Sequence, residues 1–313
     1  MTRRLLSLVS ILAMAGALLT ACGSDDTTTV AGESPGTSDP TGTTPPDTAG
    51  GTGTSGGTDT SGGTGTTGEV STVYAVLVGG GFVPVEVALA EAPGTVILSD
   101  GTVYRPGAVP AIFPGPALPA VETTTLEPAE LDEVLAIVDT HRDLFDGTDF
   151  GQPAVSDLPT TTVTAVVDGE LAEAAAYALD LDLDVEPAPA LTPEQTAARE
   201  ELSTLIADVQ AIVDDPGREW QFADPTAMLA RSYPPVEQTD VDPGPPVEFP
   251  IDDAGALSTA RTGFGCMQLV DEELELVLDA ARDATQITPW VVGEETVQIV
   301  LRPLHPHEPG CSG

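Results

Sequence analysis

The stretch TTTVTAVVDGELAEAAAYAL, residues 160–179, predicts a β-hairpin and with it the class of fold. Its first half is rich in β-branched residues, which favour extended strands. The Asp168–Gly169 pair supplies residues that tolerate the positive φ angles of a tight hairpin turn. Two further stretches follow the same pattern, one turning at Asp100–Gly101 and one at Gly293. Antiparallel strands therefore dominate the predicted sheet.

Three amphipathic helices are predicted among these strands. Pro128 suits the first turn of the first helix. Thr192, Pro193 and Gln195 form a capping box at the start of the second, and Asp271 is expected to cap the third. Together the strands and helices predict an α+β fold, with antiparallel sheet and about three helices on one face. The apolar stripes of the helices are Leu131, Val134, Leu135 and Val138; Leu202, Leu205, Ile206 and Val209; and Leu274, Val277, Leu278 and Ala281.

The order strand, helix, hairpin occurs twice along the chain. Two related units explain it, with halves at 69–190 and 191–313, and convergent patterning of core-facing helices explains it equally. The folded region is predicted to span residues 69–313, which is enough chain to bury a full core.

Residues 1–21 are typical of an export signal, because a basic start at Arg3 and Arg4 is followed by a short apolar run. Leu19 to Cys22 then resembles the lipobox of bacterial lipoproteins, in which a peptidase cleaves on the N-terminal side of the cysteine and the cysteine sulfur carries a diacylglycerol. This resemblance implies a membrane-anchored protein on the extracytoplasmic face, carrying its acyl chains, palmitate among them, on Cys22. An ordinary cleaved signal and an uncleaved anchor are the alternatives.

Residues 22–68 continue from this cysteine as a tract of Thr, Gly, Ser, Pro and Asp. The tract has no apolar period and predicts a disordered linker. The chain as a whole has 50 acidic and 10 basic residues, and its formal net charge is −40. Such a charge disfavours a nucleic acid partner, because phosphates are repelled. A cationic ligand or an envelope protein is compatible with it.

The chain contains three cysteines. With Cys22 assigned to the lipid, Cys266 and Cys311 form an even pair in an oxidising compartment and are predicted to form a disulfide bond. In the loop-entropy model, a bridge that closes this span of about 45 residues stabilises the fold by about 4 kcal/mol.

Candidate chemical sites are few, and each has a plain structural interpretation. His305, His307 and Glu308 carry metal-ligating groups at close spacing, but the prolines between them favour a surface tail held by Cys311. Asp180, Asp182 and Asp184 alternate on a predicted strand and are expected to form a solvated face. The other histidine, His141, is expected to end a helix, and Trp220 and Trp290 to lie in the core or at a rim.

No cofactor motif or assembled catalytic set occurs in residues 69–313, including G-x-S-x-G, H-E-x-x-H and the P-loop. A non-enzymatic binding or envelope-associated module is therefore the expected function, with no cofactor. A hydrolase whose catalytic residues are dispersed in sequence is the alternative. A cleft that pairs His141 with a serine and an acid would favour that enzyme.

Several stretches together resemble a family of uncharacterised lipoproteins from high-G+C Gram-positive bacteria. They cover most of residues 71–313, and the resemblance implies the location and architecture already described but no activity. The stretches are LSDGTVYRPG (98–107), FPGPALPAVETTTLEPAELDEVL (113–135), SDLPTTTVTAVVDG (156–169) and ITPWVVGEETVQIVLRPLHPHEPGC (287–311).

Replacing the lipid-bearing cysteine tests the predicted anchor. In Cys22→Ala the thiol that would accept the diacylglycerol is absent, so we expect release of the protein from the membrane fraction. Cell fractionation followed by immunoblotting measures this. Full retention of the variant in the membrane would refute the lipobox assignment.

Overall fold

In the computed structural model of the chain, the three predicted hairpins form and belong to two separate sheets. The structure describes residues 70–181, 191–235, 241–260 and 262–312. Its strands are β1 (Thr72–Gly79), β2 (Thr95–Leu98), β3 (Thr102–Pro106), β4 (Val121–Thr125), β5 (Thr160–Val167), β6 (Glu170–Tyr177), β7 (Gln221–Phe222), β8 (Ala227–Tyr233), β9 (Val247–Glu248), β10 (Gly265–Val270), β11 (Pro289–Val292) and β12 (Glu295–Pro303). Its α-helices are α1 (Val85–Ala90), α2 (Pro128–Thr140), α3 (Pro193–Val213) and α4 (Asp271–Ala281).

The first sheet has seven antiparallel strands in the order β6-β5-β1-β2-β3-β4-β7. The hairpin predicted at residues 160–179 is its β5–β6 edge, paired from Thr160 opposite Tyr177 to Val167 opposite Glu170. Asp168 and Gly169 turn with φ angles of 53° and 84°, as a hairpin of this length requires.

The second sheet has five strands in the order β10-β8-β12-β11-β9. All its neighbours are antiparallel except β11 and β9, which run parallel. Gly293, with a φ of 64°, begins the two-residue turn between β11 and β12, as predicted. The α+β class with antiparallel sheets is therefore confirmed.

The three long helices cover one face of each sheet. The apolar stripes of α2 and α3 pack together with the first sheet in one core that includes Val134, Val138, Leu202 and Leu205. The stripe of α4 packs on the second sheet around Trp290, which is almost fully buried. Each sheet thus keeps one face that its own helices do not cover.

The predicted helix starts are confirmed for two helices and wrong for the third. Pro128 is the first residue of α2, and the Thr192 hydroxyl accepts a hydrogen bond from the Gln195 amide at 3.2 Å while the Gln195 side chain reaches back. Asp271, however, is the first residue of α4 and makes no capping bond. Since β10 stays paired with β8 up to Val270, the strand runs directly into the helix. The cap position is therefore Val270, whose side chain cannot accept a hydrogen bond.

The repeated order of strand, helix and hairpin is present as β4-α2-β5-β6 and as β10-α4-β11-β12. The sheet connections differ, because three strands separate β4 from β5 whereas β8 alone separates β10 from β12. The boundary between the two cores also lies further along the chain than residue 190. Both α3 and β7 belong to the first sheet and its core.

One local expectation needs correction, and others fall on residues that the structure does not describe. The predicted strand beyond Ala178 does not form in the described part, because β6 ends at Tyr177 and Ala178 to Asp180 make a turn; Asp182 and Asp184 lie outside the described residues. The prediction for Cys22 and the signal and linker predictions for 1–68 also fall outside them.

The capping box of α3 yields a stability test. In Thr192→Ala the amide of Gln195 loses its acceptor, so we expect the free energy of unfolding to fall by about 1 kcal/mol. Urea denaturation followed by circular dichroism measures it. Thr204→Ala, at an exposed position inside the same helix, is the matched control and is expected to be neutral or slightly stabilising. Equal losses in both variants would contradict a specific capping role.

Candidate functional site

A large cleft lies between the uncovered faces of the two sheets. Its volume is about 1130 Å³, slightly above the range of about 300–1,000 Å³ typical of small-molecule sites. Tyr104 and Val121 line it from the first sheet, and β12 lines it from the second through Thr296 and residues 298–303. Most of its lining residues are apolar or proline. This cleft is the candidate functional site.

The alternation of β12 explains which side chains reach the cleft. Val297, Ile299 and Leu301 belong to the core that the second sheet shares with α4. Successive side chains of a strand point to opposite faces, so Gln298, Val300 and Arg302 face the cleft. The strand therefore places one polar side chain on each side of Val300, in a surrounding that is mostly apolar.

Both of these polar side chains keep unused hydrogen-bonding capacity. Gln298 and Arg302 are each 8% exposed. Gln298 donates through Nε2 to the carbonyl of Ile287 at 3.2 Å, but its Oε1 is buried without a partner among the described residues. Arg302 Nε is buried without a partner in the same way. Such groups are costly unless a partner satisfies them.

The segment Leu304–Cys311, called here the C-terminal segment, follows β12 and turns where the Glu308 amide donates to the His305 carbonyl. Glu308 holds it there, because its Oε1 accepts from Arg302 Nη1 at 2.6 Å and its Oε2 accepts from the His305 amide at 2.8 Å. Both side chains of the ion pair are nearly buried, with exposures of 10% and 11%. The far end of the segment is fixed by the disulfide between Cys266 and Cys311, the pairing expected from the cysteine count.

His305 enters the cleft itself and is 8% exposed. Its ring lies 5.6 Å from that of Tyr104 on the first sheet, and the neighbouring His307 Nδ1 lies 3.1 Å from the Thr72 hydroxyl on β1. The C-terminal segment therefore joins the two sheets. Burial lowers the pKa of His305 to about 4, and it lowers the pKa of His307 as well, so both rings are neutral at pH 7.

The expectation that the two histidines lie on a surface tail is wrong, because His305 is buried between the sheets. The metal candidate His305–His307–Glu308 is not assembled either. The two rings are stacked, 11° from parallel, with centroids 6.4 Å apart, and Glu308 is engaged with Arg302. Among the described residues, no group of three or more His, Cys, Asp or Glu is placed to hold a metal ion.

The other singled-out residues lie outside the cleft. His141 ends α2, as expected, and its Nδ1 lies 3.2 Å from a carboxylate oxygen of Glu201 on α3. Trp290 is in the second core, edge-on to Phe249, and the guanidinium of Arg105 stacks 3.6 Å from the centre of the Trp220 ring. These contacts account for all three side chains structurally.

One wall of the cleft is a proline-rich loop, residues 107–120, between β3 and β4. It crosses to the loop between α4 and β11, where the Ala117 amide donates to the Ala284 carbonyl and the Gln286 amide donates to the Gly115 carbonyl. Val109, Ile112 and Phe113 on this loop line the cleft and yet are 60–66% exposed. The mouth of the cleft is therefore apolar, which is typical of sites that receive apolar partners.

Sequence reasoning missed this cleft, although two signals were present. Gln298 and Arg302 interrupt a strand that is buried on both faces, and the loop 107–120 concentrates prolines beside exposed Ile112 and Phe113.

Among the described residues, no helix is both long enough and apolar enough to cross a membrane.

Comparisons of the chain with protein-family models, with curated proteins and with solved structures found no match. The cleft and its side chains are consequently the basis for any functional assignment.

The buried histidines make stability depend on pH. Because the pKa of His305 is about 4 in the folded chain and 6.5 in its ordinary state, the unfolded chain binds a proton in this window that the folded chain does not. The contribution is fully present above pH 6.5 and is lost as the pH falls towards 4. Urea denaturation from pH 7 to pH 5 should therefore show falling stability.

His305→Phe keeps an aromatic ring against Tyr104 but cannot titrate, so we expect a flatter dependence of the unfolding free energy on pH. Some slope remains, because the pKa of His307 is lowered in the same direction. A variant with the slope of the unmodified protein would contradict the assignment to His305.

Proposed function

We propose that this protein is a lipid-anchored lipoprotein of the extracytoplasmic membrane face that binds a small apolar molecule in the cleft between its sheets. The observation that carries the proposal is the combination of an apolar cleft of about 1130 Å³ with the buried, unpartnered atoms Gln298 Oε1 and Arg302 Nε. Apolar walls with a few placed polar groups are the usual composition of a small-molecule site.

The mouth of the cleft supports entry of an apolar molecule. Ile112 and Phe113 stand exposed beside it, so an apolar ligand would keep favourable contacts while it leaves water. The lipid anchor and the linker, both inferred from the sequence, would hold such a mouth within reach of the membrane, where apolar molecules concentrate. The cleft is thus matched to the location that the N-terminal sequence implies.

The alternative of a hydrolase has less support. His141, its proposed base, contacts Glu201 and lies outside the cleft. The described residues that line the cleft include neither serine nor cysteine, the side chains that most often serve as nucleophiles in acyl transfer. Binding without chemistry is therefore the function that the geometry favours.

A neutral, environment-sensitive dye tests the proposed binding. We expect the full chain carrying Cys22→Ala, purified without detergent, to bind Nile red with saturable enhancement of its fluorescence. Val300→Trp places an indole in the cleft between Gln298 and Arg302 and should weaken binding at least about tenfold, because the bulk removes ligand volume.

Val270→Trp is the matched control, since Val270 lies on β10 outside the cleft and is 38% exposed. It should bind the dye like the parent protein. Equal binding by both variants, or no saturable binding by the parent, would overturn the proposal.

A further inference from the structure

We infer that the ligand of the cleft is an uncharged amphipathic molecule, an apolar chain or ring system that carries hydroxyl or carbonyl groups, and neither an organic anion nor a cation. The inference rests on the proposed binding function and specifies its ligand. The features that define it are the compensated charge of Arg302 and the opposite hydrogen-bonding characters of Arg302 Nε and Gln298 Oε1.

The charged groups of the cleft are compensated by the protein itself. Arg302 is paired with Glu308 at 2.6 Å. Arg105 is paired with Glu122 at 2.8 Å and with Asp214 at 3.3 Å. The remaining charged residue among the described lining, Glu86, is exposed on α1, where solvent screens it.

Beside Gln298 and Arg302, a charged ligand group would therefore meet no free countercharge among the described lining residues. Transferring an ion from water to such a surrounding is costly unless it is paired. The ring of His305, held neutral by burial, adds no countercharge. A neutral polar group avoids this cost and can still form hydrogen bonds.

The unpartnered atoms specify which neutral groups fit. Arg302 Nε is a donor and requires an acceptor, such as a carbonyl or hydroxyl oxygen. Gln298 Oε1 is an acceptor and requires a donor, such as a hydroxyl group. The two residues are four apart on one strand and hence about 13 Å apart along it, with Val300 between them, so the ligand presents polar groups on both sides of an apolar portion.

The formal net charge of the whole chain, −40, would by itself favour a cationic ligand. That charge acts over the exposed surface and is screened within about 10 Å at ordinary ionic strength. The net charge therefore influences which molecules approach the mouth of the cleft, whereas the paired charges inside the cleft determine which molecules stay bound.

A series of ligands with one chain and three head groups tests the inference. Monoolein, oleate and oleylamine share an eighteen-carbon chain but are neutral, anionic and cationic at pH 7. Each is added below its aggregation concentration to the full-length Cys22→Ala protein loaded with Nile red, and displacement of the dye is recorded. We expect monoolein to displace the dye at a concentration at least about tenfold lower than either charged ligand.

Two substitutions test whether monoolein binding depends on Arg302 Nε and Gln298 Oε1. Arg302→Lys keeps a positive charge opposite Glu308 but removes the Nε donor, and Gln298→Met removes the Oε1 acceptor at similar volume. Each should weaken monoolein binding about tenfold relative to Nile red binding by the same variant. Gln221→Met, at an exposed glutamine outside the cleft, should change neither.

The outcomes separate the two proposals. If Nile red binds but oleate or oleylamine competes as well as monoolein, the cleft binds ligands and the inference about charge is wrong. It is equally wrong if Nile red binds and monoolein fails to displace it. If Nile red does not bind at all, the proposed function fails and the inference with it.

Discussion

The ion pair between Arg302 and Glu308 is the interaction on which the architecture of the cleft depends. It joins the end of β12 to the C-terminal segment across 2.6 Å, in a surrounding where both side chains are nearly buried. Removing one partner of such a pair typically costs about 3–5 kcal/mol, because the other charge is left uncompensated. The same carboxylate accepts from the His305 amide, so the pair also fixes the direction in which the segment turns. The disulfide to Cys266 holds the segment at its other end.

With the segment held at both ends, His305 and His307 connect the two sheets. On the first sheet, Tyr104 lies against His305 and Thr72 lies beside His307. In the opposite direction, the proline-rich loop between β3 and β4 contacts the loop after α4. Among the described residues, the two sheets therefore meet through this loop and the C-terminal segment, and helix α1 also contacts β12. A continuous packed interface would have filled the space between these connections with side chains, as in an ordinary sandwich. The cleft follows from joining the sheets through a loop, a terminal segment and a short helix.

The sequence predicted the parts of the fold that depend on local physics. Hairpin turns at Asp100–Gly101, Asp168–Gly169 and Gly293, and the capping box at Thr192, are determined by backbone preference and by contacts within a few residues. The predicted cap at Asp271 was wrong because it depended on local preference alone. Pairing of β10 with β8 through Val270 overrode the preference of an aspartate for a cap position. The boundary between the cores was also beyond local reasoning, because α3 packs with strands that precede it by many residues.

The candidate site was harder to predict, because its character depends on what surrounds each residue. His305, His307 and Glu308 invite a metal interpretation when they are read as three donors close in sequence. In the fold, Glu308 is engaged by a residue six positions earlier and burial keeps the imidazoles neutral. Conversely, Gln298 and Arg302 appear unremarkable in a strand until the helix α4 is seen to bury the alternate residues. A polar side chain becomes informative about a ligand only when the fold has removed both its water and its protein partners, and that condition belongs to the tertiary structure.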